Sequence, residues 1–115
     1  MTLQEFYTRI GSSYDAVFAR IPSEMMIRKF TKMYLQDNSL QLLNDSIAQE
    51  NWNDAFRAAH TLKGVAANLG FDTLQETASQ LTELLRGGRP LTDFPLLEQV
   101  RSAHQQVVDG LQTLE

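Results

Sequence analysis

The chain has 115 residues, no cysteine, and 14 acidic against 10 basic side chains, for a net charge of -4. That length buries a sizeable core without staples, and the lack of cysteine excludes disulfides, cysteine-ligated zinc, iron–sulfur clusters and thiol nucleophiles. The acidic balance argues against nucleic acid as a partner, no apolar run approaches the ~20 residues of a membrane span, and no glycine-rich phosphate loop is present. The opening Met1-Thr2-Leu3-Gln4-Glu5 has no basic region leading into an apolar run, so a cytoplasmic protein without a secretory signal is expected.

Leucine, alanine and glutamine supply 36 residues while valine and isoleucine supply 9, a balance that favours helix over strand. The predicted fold is all-α, an antiparallel four-helix bundle with a short N-terminal helical cap. A single domain is expected over residues 1–115, with residues 1–21 as the cap and 23–114 as the bundle. Leu3, Phe6, Tyr7 and Ile10, then Tyr14, Val17, Phe18 and Ile21, give one interrupted or two short helices. Ser23 after Pro22 is a good N-cap, opening a long helix from Glu24 towards Glu50 that is expected to run continuously through Asp37-Asn38-Ser39. Asn51 or Asn53 starts the next helix, which stops at Gly70. A fourth segment spans about Asp72 to Arg86 and ends at Gly87-Gly88. The last runs from Thr92 or Asp93 to about Leu114. Short connections between amphipathic helices point to antiparallel neighbours.

The helix after Asn51 carries the pattern that needs explaining. With about 100° per residue, Ala58, Leu62, Val65, Ala66 and Leu69 share the face expected to pack inward, and His60 points the other way. Around His60 on the wheel stand Gly64, Ala67, Lys63 and Asn68, mostly small side chains that leave the ring unobstructed. Glycine inside a helix costs about 1 kcal/mol relative to alanine, and a surface docking close to the imidazole would account for Gly64, although close helix packing is the other reading. Lys63, one turn from His60, could be a solvated cation or could meet an anion carried by the ring, phosphate being the obvious candidate. A water-facing imidazole offers a nitrogen lone pair for attack on phosphorus without a strong general base. Phe56, one turn before His60, is equally compatible with the bundle edge and with an exposed contact. His104, beside the Val100 and Val107 stripe, reads as a histidine flanking the core, and no metal-ligand spacing is present.

At these residues the chain resembles the histidine-containing phosphotransfer (HPt) domains of multistep two-component signalling. The likeness rests on Ala59-His60-Thr61-Leu62-Lys63-Gly64, then Ala66-Ala67-Asn68-Leu69-Gly70, then Leu74 and Leu81, and covers roughly Trp52 to Arg86. The N-terminal phosphotransfer domain of chemotaxis-type kinases is similar too, particularly through Phe56-Arg57-Ala58-Ala59-His60-Thr61. The resemblance implies that His60 is the phosphoacceptor, that Lys63 neutralises the phosphate, and that Gly64 opens space for docking beside Phe56, Arg57, Thr61, Ala67 and Asn68. It implies a carrier without autokinase activity, receiving a phosphoryl group from a receiver-domain aspartate or a kinase and passing it to a response-regulator receiver. Partners would be receiver domains or a hybrid sensor histidine kinase, with Mg²⁺ on the receiver, no cofactor on this domain, and a monomeric state. Family members often place glutamine or glutamate 22 residues after the histidine to hydrogen-bond the ring. Here that position is Thr82, a shorter side chain included among the binding residues. The alternative function is a helical adaptor that binds receivers or kinases without carrying phosphate.

Overall fold

Each helix begins or ends where a breaker or capping side chain makes continuation costly. The computed structural model describes residues 1–115, which form seven α-helices and one 3₁₀ turn, without strands. Helices α1 (Leu3–Arg9) and α2 (Tyr14–Arg20) are the two short N-terminal segments. Thr2 and Glu5 close α1 with a reciprocal capping box, and the Ser13 hydroxyl accepts the Ala16 N–H at the start of α2. The Ser23 hydroxyl does the same for the Met26 N–H and opens α3 (Glu24–Met33).

The expected continuous helix from Glu24 to Glu50 is broken. After α3 the chain tightens into a 3₁₀ turn at Tyr34–Gln36, Asp37 turns to extended backbone (φ -73, ψ 135), and α4 begins afresh at Ser39–Ala48. The cause is local: the Asp37 carboxylate accepts the Ser39 N–H at 2.8 Å, offering the backbone an alternative to the helical hydrogen bond.

Helix α5 (Trp52–Leu69) starts where the Asn51 side chain accepts the Asp54 N–H. It ends at Gly70, whose left-handed φ of 74° is costly for any side chain, and where a Cβ would also stand 2.2 Å from Val17 Cγ2. Two residues later α6 (Asp72–Leu85) begins, and α7 (Phe94–Gln112) follows with Asp93 accepting the Leu96 N–H and Pro95 in its first turn. Helix α5 packs most extensively on α6 and α4, and α6 in turn on α7. Helix α5 is thus flanked on two sides while one face stays in water.

The buried face of α5 comprises Ala55, Ala58, Ala59, Leu62, Ala66 and Leu69. Val65, expected on that face, is only half-buried. The packed stripe is rotated towards Ala55 and Ala59 because α6 lies along that side, which leaves Val65 on the opposite rim. At the Gly70 end, Phe6 and Tyr7 of α1 join Phe71 and Tyr34 in a cluster of mostly edge-on and tilted rings with centroids 5.1 to 6.3 Å apart.

Candidate functional site

His60 lies near the middle of α5 on its exposed face. Neither ring nitrogen is engaged in a hydrogen bond or ion pair within the chain. Helices α1 and α2 sit at the other end of α5 from its N-cap. They reach it at Leu69, whose carbonyl accepts the Tyr7 hydroxyl at 2.6 Å, and at Asn68, whose carbonyl accepts from Arg20 at 3.4 Å. The N-terminal segment therefore leaves the imidazole uncovered.

Gly64, one turn further on, is also exposed, and nothing lies within 4 Å of the position a Cβ would take. No close packing inside the chain requires glycine there. Thr61, Gly64, Val65, Ala67 and Asn68 line a shallow open depression of about 520 Å³ together with Arg20. Of the sequence-selected residues, Thr61 and Asn68 are exposed and Ala67 is half-buried in this depression. Lys63 is half-buried on the α6 side and forms no ion pair, its charge reaching the Glu83 carboxylate only at longer range. Arg57 is exposed but turned to Asp54, 2.8 Å away on the preceding turn.

Thr82 is corrected by the structure. Its side chain is fully buried, and its hydroxyl donates to the Ala78 carbonyl at 2.7 Å on its own helix. It faces the core of α6, out of reach of a docking surface, and its one donor is already used. The residue that does meet the imidazole is Phe56, whose ring lies nearly parallel to that of His60, at 17° and 6.1 Å between centroids. Phe56 is half-buried and carries the Arg86 guanidinium 5.2 Å from its ring centre. Arg86 is held in turn by two hydrogen bonds to the Glu83 carboxylate, at 3.0 and 2.7 Å. The Arg86 hydrogen bond, and then the charges of Arg86, Lys63 and Arg89, hold the Glu83 carboxyl below the usual carboxylate range. Sequence reading gave no role to Arg86 or Glu83, which come to Phe56 only through the packing of α6 on α5.

His104 is half-buried, with Nδ1 2.7 Å from the Tyr34 hydroxyl. It belongs to the α7 side of the core, as its stripe indicated.

The model of the Hpt domain matches residues 32–110, more than half of the chain. The chain belongs to the Hpt domain family. Two relatives of this Hpt domain are each named "Chemotaxis protein CheA". The one from Klebsiella aerogenes is 55% identical over 40 residues, 35% of this chain and 6% of the relative. The one from Salmonella typhimurium is 40% identical over 55 residues, 48% of this chain and 8% of the relative. The Hpt domain thus corresponds to a small part of the length of these relatives. No solved structure matches it. Membership gives the chain a histidine phosphotransfer role in two-component signalling. No helix of this Hpt domain is long and apolar enough to cross a membrane.

Proposed function

We propose that His60 is the phosphoacceptor of this Hpt domain and that the chain relays a phosphoryl group between signalling proteins. The donor is the aspartyl phosphate of a receiver domain or a kinase, and the acceptor is a response-regulator receiver. The observation that carries this reading is a solvent-facing imidazole with both nitrogens unengaged, beside a glycine that leaves open space one turn away. In the transfer from a receiver, one ring nitrogen forms a bond to phosphorus while the bond from phosphorus to the aspartate oxygen breaks and the carboxylate leaves. The ring keeps its proton on the other nitrogen. Lys63, free of ion pairs and one turn away, offsets the charge that arrives. Mg²⁺ belongs with the receiver, since the chain's part is to present the nucleophile. The reverse transfer uses the same bonds in the opposite order.

The test uses radiolabelled phosphorylated receivers and, in a second arm, a phosphorylated kinase. Label on the chain should be acid-labile and stable to base, and His60→Gln should abolish it. Acid-labile label on the His60→Gln protein eliminates the assignment. Stable binding of a receiver with no label on any histidine favours the adaptor reading instead.

A further inference from the structure

A transferable phosphoryl group demands more of a histidine than exposure. The lone pair that attacks lies in the plane of the imidazole, so the tilt of the ring sets where the nitrogens point. Rotation about the bond joining the ring to Cβ is soft, with broad wells. His60 has no hydrogen bond to fix that rotation, and Thr82 on α6 is fully buried with its hydroxyl donating to the Ala78 carbonyl.

The ring's aromatic neighbour is Phe56. Phe56 and His60 are four residues apart on α5 and therefore neighbours on its outer face. At 17° between planes and 6.1 Å between centroids, the rings are offset and nearly parallel. That geometry restrains the imidazole through its face and leaves the edge, where both nitrogens lie, open to a partner. Phe56 is steadied by the Arg86 guanidinium, within cation–π range at 5.2 Å. Arg86 is pinned by the bidentate pair with Glu83. Arg89 ties down the same end of α6 by donating to the Glu83 and Arg86 carbonyls at 2.8 and 3.0 Å. The line from Glu83 through Arg86 and Phe56 to His60 runs from the end of one helix to the reactive face of another.

We propose that Phe56, backed by Arg86 and Glu83, is a positioning residue that sets the plane of the His60 imidazole for phosphoryl transfer. This rests on His60 being the phosphoacceptor. The test compares the parent chain with Phe56→Leu, Phe56→Tyr, Arg86→Gln and His60→Gln. Labelling is followed with phosphoramidate, a small donor that needs no docking surface, and with a phosphorylated receiver. The carbon-bound ring protons of His60 are read by NMR alongside.

Phe56→Leu should slow labelling roughly three- to tenfold with both donors, and should return the His60 ring signals to free-histidine positions. Phe56→Tyr should restore both rate and shifts, and Arg86→Gln should give a smaller loss of about two- to fivefold. Circular dichroism should show all of them folded. Unchanged rates in Phe56→Leu overturn the proposal, as does a loss confined to the receiver, which would make Phe56 a docking contact. A slowed Phe56→Leu with unmoved ring signals also overturns it. If the parent takes no label on His60, the phosphoacceptor reading fails and this proposal with it. That failure is distinguished by ring signals that differ among variants none of which carries label.

Discussion

Gly64 sits exposed in mid-helix, with empty space where its side chain would be. Nothing within the chain explains it, and local propensity argues against it. Gly64→Ala should therefore stabilise the fold by about 1 kcal/mol in chemical denaturation. It should also slow transfer from a phosphorylated receiver while leaving labelling by phosphoramidate unchanged, because the added methyl obstructs only a docked protein. Equal slowing with both donors would count against a docking role. His60 and Gly64 could be found from sequence because both stand on one helix, where spacing alone fixes relative direction. Thr82 could not be judged in that way. It lies on α6, and how far α6 is rotated towards α5 depends on the packing of Leu74, Ala78, Leu81 and Leu85 in a shared core. The same rotation that buries Thr82 leaves Glu83 and Arg86 at the surface beside Phe56, which is why that stack had no signature along the chain.

At the level of elements, the boundaries written in capping residues were legible. Ser23 and Gly70 stand where a helix end was expected, and of the alternatives Asn51 or Asn53 and Thr92 or Asp93 the caps are Asn51 and Asp93. The break between α3 and α4 was not, since Asp37-Asn38-Ser39 is compatible with helix until the Asp37 carboxylate turns onto the Ser39 amide. The break has a structural use. It delivers Tyr34 from the 3₁₀ turn to His104 of α7, joining two elements through a 2.7 Å contact. Burial lowers the His104 pKa, and the Asp37 charge opposes that only in part. The folded chain consequently holds His104 neutral at pH values where the unfolded chain begins to protonate it. Stability from this site is complete above the ordinary histidine value of about 6.5 and is lost as the pH falls below it. The melting temperature should drop between pH 7.5 and pH 5.5, and His104→Gln should show a smaller drop over the same interval. An identical drop in the variant would assign the acid sensitivity to other groups.

On the scale of the whole molecule, 40 × 24 × 21 Å in extent, His60 in mid-helix and the Tyr7 anchor of the cap at Leu69 are separated along α5. The matched family region begins at residue 32, yet Leu3, Phe6 and Tyr7 are fully buried and complete the core at the Gly70 end. Helical spacing near the N-terminus made a capping segment legible, but not its anchor, because a contact spanning 62 residues leaves no local trace. That anchor is the Tyr7 hydroxyl, which donates to the Leu69 carbonyl at the end of α5, where helical carbonyls lack partners of their own. Burial pushes the Tyr7 phenol up, so it remains a donor across the range in which the chain would work. Tyr7→Phe keeps the ring in its aromatic cluster and strands a buried carbonyl, and should cost about 1–3 kcal/mol in urea unfolding. Because the Tyr7 anchor meets α5 at Leu69, away from His60, and the cap reaches the depression beside Gly64 only through Arg20, the same variant should accept phosphate at the parent's rate under conditions where it is folded. A large fall in labelling with the fold intact would mean that the cap shapes the face around His60 as well as closing the core.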